Sequence, residues 1–185
     1  MTYRPALYCT RRPGPPLDRF VERLWYWECE PLAHMKDRMM PDGSCGLVIN
    51  LYEDETRSYS GAADDVIERY PGAVLCGTYS RYFVIDTHEQ RANVGVGFRP
   101  GGTWPFFDPA SDELQNQHIA LRDLWGSAGD TLRERILAAP TPHAKCSCWK
   151  RSCCNEQSGL CSGAPKSITP SHVSARRRAT TRSQC

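Results

Sequence analysis

Asn93-Val94-Gly95-Val96-Gly97-Phe98 is a run in which apolar residues alternate with asparagine and glycine. Alternation with a period of two predicts a β-strand, and glycine inside a strand marks close packing against a neighbour. A dinucleotide-binding turn would need a third glycine and a following helix, and this run has neither. Arg99-Pro100-Gly101-Gly102 then ends the strand in a turn.

Further strands are predicted on the N-terminal side of this run. Residues 24–28 place large rings on both faces of one strand, and residues 45–52 have the composition of a buried strand. Residues 73–77 and 82–86 are shorter apolar runs, whereas the polar residues 56–71 predict a loop or an edge hairpin. Several short strands separated by turn residues favour a β-sandwich or barrel.

The pattern changes to a helical one near Asp108. Pro109 and the acids that follow it are typical of a helix start, and Pro140 and Pro142 are predicted to end the helical region. Apolar residues between these limits mostly recur at intervals of three and four, although Gly126 and Gly129 weaken the stripe: Leu121, Leu124, Trp125, Ala128, Leu132, Ile136 and Leu137. The prediction is an α+β chain, with a β-rich domain over 1–107 and a helical linker or dimerisation segment over 108–145.

The composition changes again at Cys146. Residues 146–185 hold six of the ten cysteines, seven Lys or Arg and one acid, but only one each of Trp, Leu, Ile and Val. So few large apolar groups cannot offset the entropy lost when a backbone becomes ordered. We therefore expect residues 146–185 to be a disordered, Cys-rich, basic tail.

The codons of this tail suggest its origin. Cys codons begin with TG and Trp is encoded only by TGG, so a shift by two bases turns Cys148-Trp149 into Leu. The same shift turns Trp149-Lys150 into Glu and Cys153-Cys154 into Leu. These residues would suit a continued helix, which leads to the hypothesis of a frameshift at or just before Cys146.

Two other interpretations of the tail stay open. It could be a genuine disordered tail whose basic residues contact phosphates or an anionic membrane. It could also hold a metal, although the spacing is not that of a zinc knuckle: the potential ligands are Cys146, Cys148, Cys153, Cys154, Cys161 and His172.

The chain has no apolar run of membrane-spanning length and no apolar run of the signal-peptide type at its N-terminus. We therefore expect a cytoplasmic protein that does not enter membranes. In that compartment thiols are kept reduced, so the remaining cysteines are expected to be unpaired, small core residues: Cys9, Cys29, Cys45 and Cys76.

The sequence contains no phosphate-binding G-x-x-x-x-G-K-[ST], no hydrolase G-x-S-x-G and no metalloprotease H-E-x-x-H motif. His34, His88, His118 and His143 form no H-x-H pair, and we expect them to be surface or hydrogen-bonded residues. The cluster Asp86, His88 and Glu89 is interpreted as polar residues at a strand end. We therefore assign no catalytic, metal-binding or DNA-binding residue, and we expect neither a cofactor nor enzymatic activity.

Aromatic and basic residues could instead line a ligand pocket, although the alternative for most of the rings is that they fill the core. These candidates are Trp25, Tyr26, Trp27, Tyr82, Phe98, Trp104, Arg81 and Arg99. The sequence names neither the ligand nor the residues that bind it.

Several segments together resemble the N-terminal, effector-sensing domain of AraC-type bacterial transcription regulators. Their order and spacing carry the resemblance: residues 20–26 (FVERLWY), 40–43 (MPDG), 47–51 (LVINL), 77–82 (GTYSRY) and 97–102 (GFRPGG). Residues 109–126 are similar to the linker helices of that family. The resemblance implies a cupin-like β-barrel that senses an effector, a helical linker and then two helix-turn-helix units.

No helix-turn-helix pattern follows residue 145, so the sequence predicts a truncated regulator. The expected function is a regulatory domain that binds a small effector or forms a homodimer, without sequence-specific DNA binding. A small cupin-type metal-dependent enzyme is the alternative, and it would need His and carboxylate residues on neighbouring strands. A nucleic-acid or membrane binder that acts through its basic tail is the third possibility.

Overall fold

The computed structural model describes residues 7–30, 36–59, 66–110 and 112–153, which form two antiparallel sheets and three helices. The larger sheet has six strands, in the spatial order β1 (Leu7–Arg11), β2 (Val21–Glu28), β9 (Ala92–Phe98), β4 (Gly46–Asn50), β7 (Ala73–Cys76) and β10 (His118–Ala120). The smaller sheet has four, in the order β3 (Lys36–Met39), β8 (Phe83–Asp86), β5 (Glu55–Tyr59) and β6 (Val66–Pro71).

The strands predicted from alternation are confirmed, and the polar residues 56–71 contribute the β5–β6 hairpin at one edge. Three strands have no clear signal in the sequence. Strands β1 and β3 lie at sheet edges and are mostly exposed, so they show no apolar alternation. Strand β10 is only three residues long and pairs with β7.

Strand β9 lies at the centre of the larger sheet, between β2 and β4. Val94 and Val96 face the hydrophobic core together with Phe98, whereas Asn93 and Gly95 face the opposite side. The neighbouring strands keep the same alternation, because residues paired across antiparallel strands project to the same face. Large rings on both faces of β2, as expected from the sequence, are therefore confirmed.

The three helices cover the core face of the larger sheet. They are α1 (Leu121–Trp125), α2 (Ser127–Ala138) and α3 (Pro142–Ser152), and Gly126, with φ of +59°, separates the first two. Leu132 and Ile136 of α2 are almost fully buried against the strand residues. None of these helices, within the described ranges, is both long and apolar enough to cross a membrane.

The predicted helix start at Asp108 is wrong. Residues 101–106 and 112–116 form turns, and the chain then enters β10 before α1 begins. The turn that contains Leu114 packs closely against Gly77. It can do so because Gly77 has no side chain, since a Cβ there would lie 1.7 Å from the Leu114 carbonyl oxygen. The boundary at residue 107 therefore falls within one continuous structure, because β10 belongs to the larger sheet and Leu114 to its core.

The expectation that disorder begins at Cys146 is wrong for residues 146–153. Helix α3 starts with Thr141, whose hydroxyl accepts the Ala144 N–H at 3.1 Å, and it continues to Ser152. Trp149 is 1% exposed, and its ring centroid lies 5.7 Å from that of Phe106. One tryptophan and three cysteines of this segment are buried, and they are enough to order the helix because they pack against a core that the rest of the chain has already formed. The frameshift stays a prediction about the gene, and residues 154–185 lie outside the described ranges.

Asn50 joins the two sheets at one end. Its amide nitrogen donates to the Glu89 carbonyl at 2.9 Å and to the Glu55 carbonyl at 3.3 Å. Its side-chain oxygen accepts the N–H groups of Tyr52 and Glu53. Arg133 of α2 donates to the carbonyls of Asn50 and Glu53 at 3.1 and 2.9 Å. The end of β4, the loop that follows it and α2 are therefore held together by hydrogen bonds among buried polar groups.

Replacing Trp149 tests whether α3 belongs to the core. We expect Trp149→Ala to lower the free energy of unfolding by about 3–5 kcal/mol, because it leaves a cavity beside Phe98 and Phe106. Trp149→Phe should cost much less, since the indole N–H has no acceptor among the described residues. The matched control is Trp104→Ala, because Trp104 is 65% exposed. Equal effects of the two Ala substitutions in urea unfolding would contradict the placement of α3.

Candidate functional site

A cavity of about 450 Å³ lies between the two sheets. Its volume is within the range of pockets that hold small organic ligands. The larger sheet supplies one wall, with residues that face away from the helices: Arg23, Trp25, Trp27, Val48, Val74, Cys76, Asn93 and His118. The smaller sheet supplies the opposite wall: Asp37, Met39, Thr56, Arg57, Ser58, Tyr70, Phe83 and Ile85. Tyr8, Cys29, Thr87 and Gln90 complete the lining.

The floor of the cavity is shaped by two glycines of β9. A Cβ on Gly95 would lie 2.2 Å from Cζ2 of Trp25, and one on Gly97 would lie 3.2 Å from Cγ of Arg23. Trp25 pairs with Gly95 across the strands, and Arg23 pairs with Gly97. Because the glycines have no side chains, Trp25 and Arg23 of β2 can lie against the backbone of β9, and they do not fill the cavity. The close packing predicted for these glycines is confirmed.

The charged groups of the lining already have partners. The Arg57 guanidinium pairs with Glu89 at 2.6 Å and with Glu53 at 2.8 Å, and it also contacts Glu55. Arg23 lies 3.8 Å from Glu22, and Asp37 is exposed at the rim. The lining formed by the described residues is therefore mostly apolar, and both of its arginines lie near a carboxylate.

Two lining residues have an unsatisfied polar atom. Thr56 Oγ1 and Asn93 Oδ1 are buried and have no hydrogen-bond partner within the described part of the chain. The Asn93 amide nitrogen donates to the Gln90 carbonyl at 2.6 Å, so only its oxygen lacks a partner. Buried polar atoms without partners cost free energy and are uncommon in stable cores.

His118 is one of the titratable groups of the lining whose pKa is strongly shifted. Its Nδ1 is hydrogen-bonded to the Tyr79 hydroxyl, and its ring packs edge-on against Phe83, with centroids 4.8 Å apart. Its strand partner is Cys76, so both side chains project to the cavity face. Burial lowers the pKa of His118 to about 4 and raises the pKa of Cys76 to about 12. The imidazole and the thiol are therefore uncharged near neutral pH.

A second cavity of about 390 Å³ adjoins the first, and Ser58, Phe83 and His118 line both. The second cavity is more polar, and its lining includes Glu68, Tyr79, Arg81 and Asn116. His118 therefore stands at the boundary of an apolar and a polar compartment.

The family of this chain follows from comparison with protein-family models. The family described as "Domain of unknown function (DUF6597)" matches residues 10–120. The chain belongs to the DUF6597 family. Neither the curated proteins nor the solved structures returned a match.

The matched range contains almost the whole site. It runs from the end of β1 to the last residue of β10, so Tyr8 is the one lining residue of the larger cavity outside it. Helices α1–α3 follow the DUF6597 match and pack on the opposite face of the larger sheet. The cavity is therefore a feature of the DUF6597 domain itself.

The structure divides the predicted pocket residues of the DUF6597 domain into three groups. Trp25 and Trp27 line the larger cavity, whereas Arg81 and Tyr82 line the smaller one. Tyr26 and Phe98 are buried in the core, so for them the alternative interpretation is confirmed. Arg99 and Trp104 line neither cavity, and Trp104 is mostly exposed.

The histidines and acids expected to be structural behave largely as predicted. His143 is hydrogen-bonded to Arg11, and His34 lies outside the described residues. Asp86 ends β8, where it pairs with Lys36 at 2.9 Å and accepts the His88 N–H at the same distance. The expected role of His118 as a hydrogen-bonded residue is confirmed, but its position in the cavity was missed. The one sequence signal for this position of His118 was the short strand β10. That strand was missed because the residue pattern predicts a helical region from Asp108 onwards.

The cysteines outside the predicted tail are thiols, as expected. The expectation that these residues fill the core is wrong for Cys9, which precedes the matched range and is exposed on β1, and for Cys29 and Cys76, which line the larger cavity. All five residues of this edge strand, β1, are exposed. Among the described residues, no group of three or more His, Cys, Asp or Glu is arranged to hold a metal.

The depressed pKa of His118 predicts a pH-dependent stability. An unfolded imidazole binds a proton below about pH 6.5, whereas the folded one does so only below about pH 4. The unfolded state therefore binds more protons between pH 4 and pH 6.5. The contribution of His118 to the free energy of unfolding is fully present above pH 6.5 and is lost as the pH falls towards 4. The loss attributable to this group should reach roughly 3 kcal/mol.

Urea unfolding between pH 4 and pH 7 measures this effect. We expect His118→Phe to flatten the profile over this window, because phenylalanine keeps the ring contacts and cannot titrate. His143→Gln is the matched control, since it removes an imidazole that lies at the surface. Parallel profiles for the parent chain and His118→Phe would contradict the assignment.

Proposed function

We propose that this DUF6597 protein is the effector-sensing domain of an AraC-type bacterial transcription regulator, built on a cupin-like barrel. The order of the segments from residue 20 to residue 126 that resemble this family supports the proposal. The observation that carries it is the cavity between the sheets, lined by two tryptophans and open enough for a small organic molecule. We propose that the protein acts in the cytoplasm and that the domain is a binding domain rather than an enzyme.

The route from the cavity to the helices supports a regulatory role. The cavity and the helices occupy opposite faces of the same sheet, so a shift of β2 or β9 on ligand binding would move residues that contact α3. Phe98 of β9, for example, meets Trp149 at a centroid distance of 6.2 Å. Ligand binding would then change the equilibrium between two placements of the helices if it favours one of them. A homodimer formed through the helical segment is part of this proposal.

A ligand that binds the folded cavity must stabilise the protein. In a thermal-shift screen of small organic molecules, we expect some to raise the Tm in proportion to the logarithm of their concentration. Val48→Phe should abolish the shift, because Val48 faces the cavity from β4 and a ring there would occupy it. Leu137→Phe is the matched control, since Leu137 is exposed on α2 and lines neither cavity.

A chimera tests the regulatory half of the proposal. The full chain is placed before the DNA-binding half of a known AraC-type regulator, and a reporter is read with each stabilising molecule. We expect the reporter to respond to a molecule that shifts the Tm, and Val48→Phe to remove the response. Ligand binding with no reporter response at any concentration would refute a role in transcription and leave ligand binding intact.

A further inference from the structure

The lining of the larger cavity also indicates the class of its ligand, an inference that rests on the binding half of the proposed function. We infer that the cavity takes an uncharged, largely apolar molecule whose ketone or other neutral acceptor oxygen is hydrogen-bonded by His118. Three properties of the site support this inference: the position of His118, the compensated charges and the aromatic floor.

On this inference, the free nitrogen of His118 lies towards the larger cavity. Tyr79 lines the smaller cavity but not the larger one, and it holds Nδ1 through its hydroxyl. The two ring nitrogens of imidazole point in nearly opposite directions, so Nε2 points away from Tyr79. The pairing of His118 with Cys76 places the ring on the face that lines the larger cavity. No residue in the described ranges is hydrogen-bonded to Nε2.

We assign the imidazole proton to Nε2, which makes Nε2 a donor. The Tyr79 hydroxyl stays protonated because burial raises its pKa, so it can donate to Nδ1. A neutral imidazole that accepts at Nδ1 carries its proton on Nε2. A ligand acceptor, such as a ketone oxygen, would then complete a chain from Tyr79 through His118 to the ligand.

The charges of the lining argue against an anionic ligand. Arg57 is paired with Glu89 and two further carboxylates, and Arg23 lies beside Glu22. A carboxylate or sulfonate in the interior would therefore be buried without a cation of its own, which is costly. The apolar walls make no such demand on a neutral molecule.

The floor of the cavity suits a planar ring. Gly95 lets the Trp25 indole approach the backbone of β9 closely, which leaves a broad aromatic surface. Trp27 and Phe83 add further rings to the lining. Offset stacking on such a surface favours flat aromatic molecules over branched aliphatic ones.

Two matched fluorescent probes test the inference on the full chain. Propionyl-dimethylaminonaphthalene is a neutral ketone, and dimethylaminonaphthalene is the same ring system without the ketone. We expect the ketone to bind more tightly, with an emission shift typical of an apolar site and quenching of tryptophan fluorescence. Val48→Phe should abolish the binding of both, which would place them in the cavity.

His118→Phe isolates the hydrogen bond. It should weaken the binding of the ketone roughly three- to tenfold, the effect of one hydrogen bond, and change that of the parent amine less than about twofold. Tyr79→Phe keeps the ring but releases Nδ1, so we expect a smaller loss for the ketone alone. Tyr79→Phe also replaces His118→Phe as the test variant if His118→Phe folds poorly. Circular dichroism and the Tm show whether each variant is folded.

Four results would overturn the inference. If His118→Phe weakens the binding of both probes equally, His118 does not form a hydrogen bond with the ketone. If Val48→Phe leaves binding unchanged, the probes bind outside the cavity. Tighter binding of anilinonaphthalene sulfonate, with the same dependence on Val48, would show that the cavity prefers an anion. If a charged ligand drives the reporter chimera, the ligand class fails and the proposed function stands. If the probes behave as expected and the chimera never responds, the proposed function fails and the ligand class stands.

Discussion

The alternation of side chains along β9 is the constraint on which the rest of the structure depends. Val94 and Val96 face the helices, whereas Asn93 and Gly95 face the opposite side of the same sheet. A shift of register by one residue would exchange these faces and place the glycines in the core. The pairing of β9 with β2 and β4 therefore fixes both the filled layer beneath the helices and the open layer between the sheets.

The two layers differ in how completely they are packed. The helix side is filled by large rings, with Phe98 in contact with Phe106 and Trp149. The side between the sheets keeps a cavity of about 450 Å³, and within the described ranges its Thr56 Oγ1 and Asn93 Oδ1 lack hydrogen-bond partners, as Trp149 Nε1 does on the helix side. Both features lower stability, since cavities and unsatisfied polar groups each cost free energy. Departures of this kind are expected where a protein retains a binding site.

His118 combines a partly buried position in the cavity lining with a polar role. Its burial keeps it neutral, and its link to Tyr79 fixes the orientation of the ring. A neutral donor in an apolar cavity can select between ligands by the presence of an acceptor, because a ligand without one leaves the donor unpaired. The same burial makes the folded state sensitive to acid, so recognition and pH-dependent stability would arise from a single side chain.

The sequence by itself determined the strands with strong alternation, the α+β class and the close packing at Gly95, because these follow from a local period and from the absence of a side chain. The helical region was located, but its start was misplaced, since turns at 101–106 and 112–116 precede it and the short β10 is stabilised by pairing with β7 rather than by local preference. Only the tertiary structure decided that α3 is part of the core, because the burial of Trp149 depends on rings fifty residues or so away in sequence, such as Phe98. Only the tertiary structure brought His118 to the cavity, because Cys76 and Tyr79, which orient it, belong to a distant segment of the chain.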